Sequence, residues 1–182
     1  MLLEQGYHNL GVAGLLEATG IPKGSFYHYF KSKEGFGIEV IDLYMQRVND
    51  ALDLALGDVS KAPLQRIRNF FAMVEKSYQS QGYLGCLLGG LGQELSGVSA
   101  TFQRKVEACF SKIANRFQSC LDEARKGGDL PENSDTRQLA ELLVNCWEGA
   151  ALRSRIRRDP SSLEEMLDFY FSAITMRSKK LL

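Results

Sequence analysis

Histidine is nearly missing from this chain, with only His8 and His28 in 182 residues, and the four cysteines at 86, 109, 120 and 146 lack the short pairings through which zinc is held. No metal centre and no cofactor is expected. Charge of one sign is also missing, because 22 lysines and arginines balance 22 aspartates and glutamates; any polyanion site must be local. No apolar run approaches the roughly 20 residues that span a bilayer. The opening Met1-Leu2-Leu3-Glu4-Gln5-Gly6 has neither a basic leader nor a cleavage signal. The cytoplasm is the expected compartment, with the cysteines reduced. Alternating strand patterns are absent too, and there is no internal repeat or low-complexity tract.

What is present is helical periodicity. With 45% hydrophobic residues the chain can bury one or two cores without a staple. Met1 to Gln5 reads as the last turn of a helix stopped by Gly6, so that the first helix looks truncated. Asn9 is the expected cap of a second helix, ended by Gly20. Pro22 suits the first position of a short third one. Ser32 restarts a long helix with Phe36, Val40, Val48 and Leu52 on its apolar side, and Pro63 starts another. Ser99, Asp135 and Ser161 mark three later starts, the last with Glu164 in capping-box spacing. The final helix is expected over 161–177. The fold class is all-α.

The segment Gly20 to Lys33 carries three lysines, and between Ala18 and Lys33 there is no acid. Two short helices around a tight turn make a helix-turn-helix whose second member faces outward. Ala13, Leu16 and Phe30 are expected beneath it, with Val12 or Ile21 closing the corner. Lys23 and Ser25 can meet base edges or nearby backbone, Gly24 leaves room for close approach, and Tyr27, His28 and Lys33 have donors suited to phosphate. The competing reading makes Phe26 to Phe30 an aromatic core cluster under a surface turn.

These residues resemble the DNA-binding domain of the tetracycline-repressor (TetR) family of one-component bacterial transcription regulators. The likeness rests on Gly6-Tyr7, on Gly20-Ile21-Pro22-Lys23-Gly24-Ser25-Phe26-Tyr27-His28-Tyr29-Phe30 and on Lys31-Ser32-Lys33-Glu34. It implies a helix-turn-helix domain over 1–40 and a helical effector-binding and dimerisation domain over 41–182, the latter an antiparallel bundle that pairs with a second copy. It implies further that Gly24 and Ser25 enter the major groove, that Tyr27, His28 and Tyr29 contact or buttress the DNA backbone, and that Lys33 meets phosphate. The expected activity is repression through palindromic operator DNA, released by a small effector. In this likeness the last two helices form the dimer contact, with Leu143, Trp147, Leu167, Tyr170 and Phe171 as anchors; residue by residue, each reads equally as internal core.

Gly82-Tyr83-Leu84-Gly85-Cys86-Leu87 resembles the sensing segment of the electrophile-responsive (N-ethylmaleimide-responsive) subgroup. A cysteine at a helix start sees free N–H groups that favour its thiolate. Burial as a small hydrophobe is the other reading of Cys86. A non-covalent, apolar effector would be expected among Phe70, Val74, Phe102, Phe110 and Trp147, unless these aromatics simply fill a core. An enzyme is disfavoured: no acid and base pair is apparent, and Gly89-Gly90-Leu91-Gly92 lacks the strand that a phosphate cradle requires. The remaining alternative is a dimeric helical scaffold that no longer binds DNA because its first helix is short.

Overall fold

The computed structural model describes residues 1–176, and all of their regular structure is helical. The order is α1 (Leu2–Gln5), α2 (Val12–Thr19), α3 (Lys23–Tyr29), α4 (Lys33–Leu56), α5 (Pro63–Ser80), α6 (Leu87–Leu95), α7 (Ala100–Lys126), α8 (Thr136–Arg157) and α9 (Ser161–Met176). The expected end of the last helix at Arg177 lies outside the described residues.

Most helix boundaries follow local chemistry. Gly20 ends α2 in the left-handed region at φ 67°, where a side chain would be strained. The Ser32 hydroxyl caps α4 by accepting the Gly35 N–H at 3.0 Å, Ser99 does so for Phe102 at 3.2 Å, and Asp135 does so for Gln138 at 3.0 Å. Two expected starts shift, and the cap of a third differs. Asn9 does not cap α2; its amide turns back to the Gln5 carbonyl at 3.0 Å, Leu10 is buried ahead of the helix, and Gly11 is the N-cap. Pro22 is the N-cap of α3 rather than its first residue, and its carbonyl accepts from Ser25 at 3.0 Å. α9 starts at Ser161 as expected, but the Asp159 carboxylate, rather than Glu164 of the capping-box spacing, accepts the N–H of Ser161, at 2.9 Å, and its hydroxyl, at 2.6 Å. Those two bonds hold the Asp159 carboxyl below its ordinary range.

The chain forms two compact units, with boundaries that fall inside α4, between α5 and α6, and inside α7. The first comprises Met1–Arg47 and Cys86–Cys109. Its centre holds Leu10, Phe26, Ile41, Leu88, Leu91 and Phe102, all buried. Tyr7 meets Phe102 edge-on at 5.2 Å, and both rings lie over Gly37, where a Cβ would come within 2.7 Å of Phe102 and 2.9 Å of Tyr7. Glycine is therefore needed on α4 at that point. A Ser99–Glu34 hydrogen bond (2.5 Å) and a Lys105–Asp42 ion pair (2.5 Å) tie α4 to α7 and its cap.

The second unit comprises Val48–Gly85 and the described part of Phe110–Leu182. Phe71 stands between Phe70, Phe117 and Trp147 at ring distances of 5.3, 5.2 and 4.5 Å. Burying each such side chain contributes about 1.5–3 kcal/mol. Residues 158–160 join α8 to α9, and the Tyr170 hydroxyl donates to the Leu139 carbonyl at 2.8 Å, so late α9 lies beside early α8 and the two run antiparallel. Buried Arg66 reaches the Leu56 carbonyl at 2.8 Å and the Glu123 carboxylate.

Candidate nucleic-acid interface and effector region

Phe26 determines how α3 is presented. It is the buried residue of that helix, and its ring packs at 5.2 Å on Phe30 and 5.7 Å on Phe36. Anchoring the helix through one residue leaves the rest of its circumference open. Lys23, Gly24, Tyr27, His28 and Tyr29 are exposed and Ser25 is half-buried. Tyr29 is 77% exposed, a large aromatic surface left in water on a helix that begins with a lysine. The aromatic run thus divides: Phe26 and half-buried Phe30 belong to the core, whereas Tyr27, His28 and Tyr29 do not. An added Cβ at Gly24 would meet nothing within 4 Å.

Beneath α3 the expectation is only partly met. Leu16 and Phe30 are half-buried, but Ala13 and Ile21 are exposed. Val12, Leu15 and Leu16 lie three and four residues apart and take the inner face of α2, which turns Ala13 outward.

Lys33, the first residue of α4, stands apart from the α3 set. Its ammonium donates to the Tyr7 carbonyl at 2.6 Å and lies 4.3 Å from the centre of the Tyr7 ring. Two donor positions of that ammonium are left for other acceptors. Burial, with the nearby Glu34 charge, pushes the Tyr7 hydroxyl above its ordinary pKa.

A helical unit that presents a short, anchored second helix with lysine, serine, tyrosine and histidine on its open side is a helix-turn-helix. The first 40 residues match the model of the bacterial regulatory proteins of the tetR family, and residues 63–170 match the tetracyclin repressor-like C-terminal domain. The chain belongs to the TetR family of transcriptional regulators. The transcriptional regulator AcuR of Cereibacter sphaeroides is 38% identical over 89% of this chain and 74% of its own. The crystal structure of regulatory protein TetR from Rhodobacter sphaeroides superposes with a TM-score of 0.90 at 36% identity, covering 94% of this chain and 91% of that one. The HTH-type transcriptional repressor NemR of Escherichia coli is 28% identical over 92% of this chain and 84% of its own. As a TetR-family protein, the chain is a regulator of transcription rather than an enzyme.

The effector candidates divide between the two units. Cys86 and Phe102 belong to the first unit, whereas Phe70, Val74, Phe110 and Trp147 belong to the second. Cys86 is half-buried and is the N-cap of α6, with its sulfur 3.7 Å from the Tyr44 hydroxyl. Phe102 is filled around by Tyr7 and Gly37. Phe70 packs on Phe71 and Phe117, and Trp147 on Phe71 and Tyr78. Val74 and Phe110 are half-buried. By contrast, Cys120 is buried and donates to the Pro63 carbonyl at 3.1 Å; burial pushes its thiol up to about 11.

The five expected dimer anchors, Leu143, Trp147, Leu167, Tyr170 and Phe171, are all buried within the single chain. Trp147 meets Phe71 of α5, the Arg68 guanidinium lies 4.2 Å from the centre of the Phe171 ring, and the Tyr170 hydroxyl bonds to the Leu139 carbonyl. Among the described side chains, the large apolar groups left exposed on these two helices are Leu142, Leu152 and Ile156 on α8 and Phe169 on α9.

Sequence reasoning missed Glu94. It carries no motif signal, yet its carboxylate accepts the backbone N–H groups of Tyr7 and His8 at 3.1 and 3.0 Å. Among the described residues no cluster of potential ligands is suited to a metal ion, and no helix is long and apolar enough to cross a membrane.

Proposed function

We propose that this chain is a one-component repressor that binds palindromic operator DNA as a homodimer and leaves it when a small electrophilic or apolar effector is captured. The observation that carries the reading is α3 itself: one buried phenylalanine beneath an otherwise open, acid-free helix. In this reading residues 1–40 are the DNA-binding domain and 41–182 the effector and dimerisation domain, working in the cytoplasm. Lys23, Gly24 and Ser25 face the base edges and adjacent backbone, and Tyr27, His28, Tyr29 and Lys33 meet phosphate oxygens. One such helix covers too few bases alone. Two, held about 34–36 Å apart or at a multiple of that distance, read successive major grooves.

Pairing uses the outer surfaces of α8 and α9. Leu142, Leu152 and Ile156 fall on one side of α8, and Phe169 adds the most exposed large aromatic of α9. Leu143, Trp147, Leu167, Tyr170 and Phe171 then back this surface from within, as the packed support that interface residues require.

Signal entry is assigned to Cys86, at the amide-rich start of α6. Its thiolate adds to the electron-poor carbon of a quinone or maleimide; the π pair moves toward the carbonyl oxygen and a proton from water completes the adduct. The added bulk biases a two-state dimer away from DNA. An apolar effector that binds without covalent chemistry would instead use Phe70, Val74, Phe110 and Trp147 of the second unit. Treatment of wild type and Cys86→Ser with a quinone, while duplex binding is followed, separates the two. Release of wild type alone supports Cys86. Equal release of both removes Cys86 as the switch.

A further inference from the structure

The peptide group between Tyr7 and His8 is held at both ends by opposite charges. Its N–H, on His8, donates to Glu94 Oε2 at 3.0 Å, and its carbonyl, on Tyr7, accepts from the Lys33 ammonium at 2.6 Å. Glu94 Oε1 takes the preceding amide, that of Tyr7, at 3.1 Å, and Oε2 also lies 3.3 Å from His8 Nδ1. A carboxylate of α6 and an ammonium of α4 thus share one peptide plane in the loop ahead of α2. Gly6 makes the approach feasible. It has φ 78°, and a Cβ there would come within 2.7 Å of Glu94 Oε1. Partial burial alone would raise the Glu94 pKa, but the two amides and the His8 ring outweigh it and hold the carboxyl below its ordinary value.

We propose that Glu94 is a positioning residue for DNA recognition, acting through the Tyr7–His8 peptide to orient Lys33. This rests on the DNA-reading assignment above. Hydrogen bonds to charged groups are stronger and more directional than neutral ones. With the peptide plane fixed by Glu94, the Tyr7 carbonyl presents a fixed acceptor, and the Lys33 ammonium is held there with its remaining donors available. Without Glu94 the plane is free to rotate and Lys33 loses the acceptor that aims it. Binding groups work only when a supporting layer holds them to within about 0.5 Å.

The test is a double-mutant cycle of Glu94→Gln and Lys33→Ala, using a palindromic duplex recovered by the wild-type protein from a random-sequence library. The Glu94→Gln change keeps the side chain's size and removes its charge. Wild type, the two single variants and the double variant are compared at a temperature where circular dichroism shows equal helicity in all four, which separates positioning from unfolding. Each single variant is expected to weaken binding about tenfold and to lower the salt slope by about one. The double variant is expected to be no weaker than Lys33→Ala alone, because Glu94 acts through that lysine. Faster amide exchange at His8 in Glu94→Gln is the accompanying signature. Additive losses, or unchanged binding and salt slope in Glu94→Gln, would overturn the positioning role while leaving DNA reading intact. If the wild type recovers no duplex, the DNA-reading assignment fails and takes this role with it.

Discussion

The Lys33 ammonium and Tyr7 are joined twice, by a 2.6 Å hydrogen bond to the carbonyl and by a 4.3 Å approach to the ring centre. A lysine expected to serve only DNA also holds the loop between α1 and α2. Its loss should therefore act on both affinity and stability. Lys33→Ala is expected to weaken binding to all duplexes alike, to reduce the salt slope by about one, and to lower the unfolding midpoint slightly. Fluorescence anisotropy over a salt series, with urea unfolding beside it, checks all three.

Phe71 tests the aromatic centre of the second unit. It is 2% exposed and touches Phe70, Phe117 and Trp147. Phe71→Ala is expected to cost about 3–5 kcal/mol, as lost transfer energy plus a cavity. Val59, 85% exposed, supplies the contrast: Val59→Ser should stay within about 0.5 kcal/mol of wild type. Chemical denaturation measures both.

The outer face of α8 and α9 makes a prediction about assembly. Phe169 is 77% exposed in the single chain, so Phe169→Asp removes nothing from the core. It is expected to convert a dimer to monomers with helicity unchanged, as read by light scattering and circular dichroism. A dimer that survives this substitution together with Leu142→Asp would place the pairing surface elsewhere.

Cys120 predicts the alkaline limb of the stability curve. Its thiol ionises near the ordinary 9.0 when unfolded and only at about 11 when folded. The folded state therefore keeps a proton that the unfolded state loses, and this contribution, complete below pH 9, fades as pH rises toward 11. Burial raises the Tyr170 hydroxyl in the same sense. Thermal melts of wild type and Cys120→Ala across that alkaline range should show the smaller decline in the variant.

The helices are largely legible in the sequence because glycine, proline and hydroxyl caps mark their ends and apolar residues recur along their inner faces. The cap of α9 is harder to read than its start, because Asp159 and Glu164 both carry carboxylates within reach of the Ser161 amide and sequence spacing does not rank the two acceptors. In the candidate interface, the spacing of Phe26 and Phe30 separates core from surface rings. Burial on α8 is less accessible to such reasoning: Leu142 and Leu143 are alike and adjacent in sequence, and only the fold shows that Leu143 is inside the chain and Leu142 on its surface. Glu94 leaves no trace, since its partners are backbone amides 86 and 87 residues away, and any residue except proline supplies an amide.

Recovery of duplexes from a random-sequence library by the purified protein, followed by binding over a salt series, bears on DNA reading without any intermediate assumption. The expected product is an inverted repeat whose half-site centres lie about 34–36 Å apart or at a multiple of that distance, with log affinity falling linearly as log salt rises. Ser25→Ala or Lys23→Ala is expected to change the preferred half-site. A folded dimer that enriches no sequence, or one whose Ser25→Ala and Lys23→Ala variants recover the same half-site as wild type, would contradict the assignment of α3 as the reading helix.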